Sequence, residues 1–231
     1  MRVSQEPERD RWRAGRVSPA LSSCNEEQLM LVLLEGNIAA GKTTLGKALA
    51  SGDHFAFVPE PVERWQSGFA ANLLERFYAD TPRWAFTLQI CAYVTRMQAA
   101  QAALAPGQDI VCERSIYCDR HVFARNLHQQ GLMDNTEWAL YCHFWDHFKE
   151  SAPRPDAIIY LRTPAEECYR RLQARGRREE KGVSLDYLRQ LEACHDEWLL
   201  DSAVAECAVV VLDGTHVWIA EDVRRELVGL K

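Results

Sequence analysis

An apolar run that breaks into glycine, followed by a Lys, two Thr and a helical period, leaves a chain few folds to choose from. Residues 31–50 read LVLLEGNIAAGKTTLGKALA. Gly36, Gly41, Lys42 and Thr43 fit G-x-x-x-x-G-K-[ST]. Glycines in such a loop let backbone N–H groups turn inward around phosphate oxygens, and the next helix presents its positive N-terminus. On this reading Gly36, Asn37, Ile38, Ala39, Ala40, Gly41, Lys42, Thr43 and Thr44 cradle the phosphates of ATP. Lys42 reaches the β and γ phosphates, and the Thr43 hydroxyl ligates Mg²⁺.

The motif needs a strand before it and a helix after it, and the rest of the chain continues that alternation. Short apolar runs occur at 29–36, 54–61, 109–115, 157–163 and 208–214. Their length and continuous apolar character predict parallel strands buried on both faces. Helical patterns lie between them. One starts with Thr81 as N-cap and Pro82 at the first helical position. Another starts with Thr163, Pro164 and a capping-box Glu166. The expectation is an α/β fold, a doubly wound five-stranded parallel sheet flanked by helices.

The 231 residues, 47% of them hydrophobic, suffice for one good core. One domain is expected over residues 29–231. Residues 1–28 mix Arg2, Arg9, Arg11, Arg13 and Arg16 with Glu6, Glu8 and Asp10 and show no apolar period, which predicts a disordered tail. A mitochondrial presequence is Arg-rich but poor in acids, so the three acids favour a cytoplasmic over a mitochondrial location. The net charge of -6 argues against nucleic acid as a partner. No apolar stretch approaches the ~20 residues that span a bilayer. The eight Cys are scattered without a CxxC pair, which predicts reduced thiols acting as small apolar side chains.

Ligands of open α/β sheets bind at the carboxyl ends of the strands. VPEP places Glu60 at one such end, and ERS places Glu113 and Arg114 at another. RRLQARGRREE sets Arg171 and Arg175 four apart on one helix face, with Arg177 and Arg178 following. A charge run is ordinarily a solvated face, but a basic segment beside a phosphate loop suits phosphoryl transfer. His143 and His147 in HFWDH lack the Glu of a zincin motif and read as a helix face.

Five ordered blocks, EGNIAAGKTT, VPEPVERW, NLLERFYADTPRWAFTLQ, ERSIYCDRHVFARNL and RGRREEKGVSLDYLRQLEACHDEWL, resemble the deoxyribonucleoside kinases over residues 29–214. The resemblance implies a P-loop kinase-like fold with an Arg-rich lid, and transfer of the γ-phosphoryl of ATP to the 5′-OH of a deoxyribonucleoside. It implies Glu60 as general base and Arg114 holding that carboxylate and the transferring group. Glu113 would help to organise Mg²⁺ with Thr43, and Arg171, Arg175 and Arg177 would close over the phosphates. Tyr78 and Glu180 match the pair that binds the 3′-OH, and Gln89 the amide that meets the base edge. Trp65, Leu74, Phe77, Leu88 and Phe123 match the apolar walls. Arg96 and Asp119 match a polar pair at the far end of the base pocket, found in relatives that prefer deoxycytidine and purines. Phe77 and Leu88 depart from the commoner Met and Phe. The resemblance also implies a homodimer built through helices around HFWDH. Deoxycytidine and purine deoxynucleosides are therefore expected over thymidine. The alternatives are a nucleoside-monophosphate kinase, or a kinase-like structural subunit without activity.

Overall fold

The computed structural model describes residues 29–52, 55–104, 108–201, 203 and 205–228. The expected N-terminal tail lies outside them. Five strands, β1 (Leu31–Glu35), β2 (Phe55–Val58), β3 (Asp109–Glu113), β4 (Ala157–Arg162) and β5 (Ala208–Asp213), pair in the order β2-β3-β1-β4-β5. Every pairing is parallel. From β1 the chain goes to the edge of the sheet at β2, returns to β3 beside β1, and then crosses to β4 and β5 on the other side. That reversal opens a crevice at the carboxyl ends of β1 and β3.

Strand alternation divides the core. Val32 and Leu34 of β1 face a cluster with Leu45 and Leu49 of α1 (Lys42–Leu49), Leu172 of α8 (Ala165–Arg175) and Leu227 of α10 (Ala220–Val228). Leu31 and Leu33 face Tyr93 of α4 (Thr81–Ala103) and Leu191 and Trp198 of α9 (Leu185–Leu199). A third cluster joins α2 (Val62–Ser67), α3 (Leu73–Ala79), α4, α6 (Arg125–Gln129) and α7 (Asn135–Phe148) through Trp65, Leu74, Phe77, Leu88, Leu127 and Tyr141. It flanks the carboxyl end of the sheet. Between β3 and α6, the short α5 (Ile116–Cys118) runs into a π-helical turn over Asp119–Ala124. Such turns are frequent at functional sites.

Two local expectations shift. Asp80, not Thr81, caps α4: its carboxylate accepts from the Arg83 N–H, and Thr81 begins the helix. Thr163 and Glu166 form no capping box. The start of α8 is served from α9, where Glu192 accepts from the Ala165 N–H at 3.0 Å, while the Thr163 hydroxyl donates to the Ala40 carbonyl. The two edge strands, β2 and β5, also differ from the expectation of burial on both faces, β5 the more. β5 is an edge strand and Val211 is 47% exposed. Seven Cys among the described residues are free thiols, as expected.

Candidate active site

The loop between β1 and α1 takes its shape from backbone conformations that few side chains tolerate. Gly36 has φ 144°, and a Cβ there would stand 2.6 Å from the Leu161 carbonyl oxygen. Gly41 has φ 107° and precedes α1 with no side-chain cap, so the helix N-terminus stays open to an anion. The buried Lys42 ammonium donates to the carbonyls of Gly36 and Asn37 at 3.1 and 2.8 Å. Burial, joined by the charge of Arg114, pushes it down to about 8, so it remains a cation at neutral pH.

Within the loop, roles divide. Ile38 through Thr44 line a cleft of about 990 Å³. Gly36 and Asn37 stand behind that wall. Asn37 is a strut: its amide donates to the Leu188 carbonyl of α9 and its oxygen accepts from the Ile38 N–H. At the start of α1, the Thr43 hydroxyl meets both oxygens of Glu113, at 3.0 and 2.8 Å. A hydroxyl and a carboxylate side by side are hard oxygen donors of the kind Mg²⁺ accepts.

Glu60 follows β2 between Pro59 and Pro61 and faces two guanidinium groups. Arg96 Nη2 donates to its Oε1 at 2.8 Å, and Arg114 Nε lies 3.3 Å from the same oxygen. Burial pushes the carboxyl up, but Arg96, Arg114 and Lys42 outweigh it and hold Glu60 at about 2. Arg114 reaches this place from a strained backbone, φ 65° directly after β3. Its N–H bonds to the Leu34 carbonyl at 3.0 Å, its Nη1 donates to the Cys118 sulfur at 3.4 Å, and its guanidinium lies over the Phe123 ring.

Arg96 pairs with Asp119: its Nε donates to both carboxylate oxygens at 3.0 Å. It also extends to Glu60, so one guanidinium joins Asp119 to the candidate base. Trp65 covers its face at 4.9 Å. Asp119 is 1% exposed, and burial lifts its carboxyl to about 6 against the pull of Arg96. Two polar atoms here are buried and have no hydrogen-bond partner among the described residues, Arg96 Nη1 and Gln89 Oε1. Leu74, Phe77, Tyr78, Leu88 and Phe123 complete the walls of the same cleft.

The basic residues after β4 do not behave alike. Arg171 is engaged by Glu167 and by the carbonyls of Ala40 and Gly214, which ties α8 to the phosphate loop and to the end of β5. Arg175 and Arg177 converge instead on Glu180, at 2.6 and 2.7 Å. Gln66 and Asn72 donate to the neighbouring Glu179, linking this turn to the region of α2 and α3. All the candidate residues except Gly36 and Asn37 border one cleft. Tyr187 of α9 borders it too. Sequence reasoning passed over Tyr187, whose only local signal is its place three residues after the Ser184 cap.

A phosphate loop and a carboxylate held by arginines, facing one cleft, define a P-loop phosphotransferase with a small-molecule acceptor. A sequence profile of the family described as Deoxynucleoside kinase matches residues 32–229. The chain is 36% identical to deoxycytidine kinase 2 of Gallus gallus, across 89% of this chain and 90% of that one. It is 37% identical to deoxycytidine kinase of Homo sapiens, across 80% and 81%, and 31% identical to mitochondrial thymidine kinase 2 of Macaca fascicularis, across 86% and 76%. The chain belongs to the deoxynucleoside kinase family and transfers a phosphoryl group from a nucleotide donor to a deoxynucleoside. No helix among the described residues is long and apolar enough to cross a membrane.

Proposed function

We propose that this enzyme transfers the γ-phosphoryl of ATP, with Mg²⁺, to the 5′-OH of deoxycytidine and, less readily, of purine deoxynucleosides, ahead of thymidine. The observation that carries the base preference is the buried Arg96–Asp119 pair beside the unpaired Gln89 oxygen. The cytosine amino group offers two donors to this acceptor-rich wall. Thymine presents a carbonyl oxygen and a methyl group there instead. A site built to hydrogen-bond a polar edge rejects a base that leaves its groups unpaired. Phe77 adds bulk against the larger purines. Two of the relatives named above are deoxycytidine kinases and one is a thymidine kinase.

Thr43 and Glu113 are the residues that would hold Mg²⁺, which when bound neutralises charge on the β and γ oxygens. The chain's own groups do the rest. Loop N–H groups and Lys42 hold the phosphates, and Arg175 and Arg177 turn from Glu180 to the transferring group as a lid. Arg171 braces the loop. Tyr78 and Glu180 bind the 3′-OH. Glu60 accepts the 5′-OH proton as the oxygen attacks phosphorus. A nucleoside-monophosphate kinase needs free cations for an acceptor phosphate, whereas Arg96 and Arg114 are already engaged by Asp119 and Glu60.

A phosphorylation assay with ATP and a panel of nucleosides tests the reading. kcat/KM for deoxycytidine should exceed that for thymidine by about tenfold or more. Equality, or a thymidine preference, overturns it. The double variant Arg96→Met, Asp119→Ala should shift the thymidine-to-deoxycytidine ratio of kcat/KM upward by about tenfold. Because Arg96 also holds Glu60, kcat should fall for every nucleoside.

The reading includes a homodimer and a cytoplasmic location, the latter supported by the acids in residues 1–28. Leu140, Phe144 and Phe148 fall at i, i+4 and i+8 on α7, and Leu140 and Phe148 are 42% and 39% exposed. His143 and His147 share that helix at exposed positions. Leu140→Glu should convert the dimer to a monomer in light scattering. An unchanged mass would remove α7 from the interface.

A further inference from the structure

The face of β1 that carries Leu31 and Leu33 ends in Glu35, a carboxylate where alternation calls for an apolar side chain. It is 0% exposed. Ser115 and the Cys118 thiol stand beside its oxygens, yet neither oxygen makes a hydrogen bond of good geometry among the described residues. Glu35, Cys118 and His195 of α9 bring their polar atoms within 4.8 Å of one another. A group so expensive to bury asks for a role.

A metal is a poor answer. Arg114 donates into the Cys118 sulfur at 3.4 Å, so a guanidinium already holds the place of the cation. His195 Nδ1 bonds to the Leu191 carbonyl at 2.6 Å, and its Nε2 lies 3.7 Å from the same sulfur. Burial and the charge of Arg114 push this imidazole down to about 3, and burial keeps Cys118 a thiol. Both are neutral, so the charges that meet in this nest are those of Arg114 and Glu35.

We propose that Glu35 is a positioning residue for phosphoryl transfer: behind the active site, with Cys118 and His195, it shares Arg114 with Glu60 and so controls how strongly that guanidinium holds the base. The inference rests on the roles proposed above for Glu60 and Arg114. Ionised, Glu35 draws part of the Arg114 charge backward and leaves Glu60 the better proton acceptor. Protonated, it releases Arg114 wholly to Glu60 and quenches it.

This division gives kcat an acid limb that Glu60 cannot supply, since Glu60 stays ionised down to about pH 2. Burial pushes Glu35 up to about 7 against Ser115, Arg114, Cys118 and Arg96. Activity should therefore fall as pH drops through about 7. The groups around Glu35 are Arg114 and Ser115 after β3, Cys118 on α5, His195 on α9 and Arg96 on α4. Tyr160 of β4 is its register neighbour and stacks on His195, with its hydroxyl given to Asp196. Lys42 and Asp119 lie further off, against Arg114 and Arg96. Asp119 also titrates near pH 6, which is why the test removes Glu35 itself.

The experiment measures kcat and KM from about pH 5 to about pH 9 for the wild type, Glu35→Gln and Glu35→Asp. Folding of the native protein retains a proton on Glu35 that the unfolded chain releases between the ordinary 4.5 and about 7. Native stability falls across that window, and Glu35→Gln escapes the loss, so it should fold. Its kcat should lack the wild-type limb near pH 7 and, at about pH 8.5, lie about tenfold below wild type, with both KM values within about threefold. Glu35→Asp should keep the limb but displace it. A folded Gln variant with the wild-type kcat and limb overturns the proposal, as does an Asp variant whose limb coincides with that of the wild type. Glu60→Gln run in parallel separates the failures. If that change collapses kcat while Glu35→Gln does nothing, only the positioning role is lost. If Glu60→Gln is itself silent, the underlying site reading has failed.

Discussion

Glu60→Gln is expected to lower kcat by about 10²–10⁴-fold, the span of general-base catalysis, with nucleoside KM changed much less. The amide keeps shape and still accepts a hydrogen bond from Arg96, but it takes no proton. Stopped-assay kinetics with deoxycytidine check this, and a raised KM with kcat intact would make Glu60 a binding residue. The change also removes a counter-charge from two buried guanidinium groups. Glu60 is held at about 2, below the ordinary 4.5 of the unfolded chain, so its contribution to stability is present above pH 4.5 and is lost as pH falls through 2. The Gln variant lacks that contribution at every pH. Its melting temperature should lie below that of the wild type at neutral pH, and the two should converge in acid.

Lys42→Ala should lower phosphoryl transfer by about 10³-fold or more, because it deletes the point charge proposed to meet the β and γ phosphates. The fold should survive. Among the described residues Lys42 bonds to two loop carbonyls, and the turn is set by Gly36, Gly41 and the Asn37 strut to α9. Single-turnover transfer from labelled ATP, beside a circular-dichroism spectrum, makes the measurement. Near-normal transfer in a folded variant would move the donor phosphates away from this loop.

The fold was legible because its signals are local. Five apolar runs became five parallel strands in place, and the phosphate loop carried its own strand and helix. The departures come from partners distant in sequence. Thr163 sits where a cap is expected, but Glu192 of α9 serves that helix end, which no local window shows. Asp80 and Thr81 are adjacent capping residues, and only the backbone decided between them. Most of the candidate site was legible through five blocks of motif, which locate residues but not their contacts. Arg96 lies 36 residues from Glu60 and outside the five blocks, and nothing in the sequence announces the bond between them. Glu35 was hidden differently: it sits at the end of β1, directly before the phosphate-loop motif, and attracts no notice until alternation shows which face it occupies.

The guanidinium that joins Asp119 to Glu60 has a consequence for nucleoside analogues as drugs. In most enzymes the part that recognises a ligand and the part that transforms it can be altered separately. On the proposed roles, a modified base that displaces Arg96 would also release, from the bond that positions it, the carboxylate proposed to receive the proton. Such a compound would occupy the enzyme well and be phosphorylated poorly, so it would act as an inhibitor rather than as a prodrug. Across a series of base-modified analogues, kcat should vary more steeply than affinity, and the chemist's limit would lie in turnover before it lies in space.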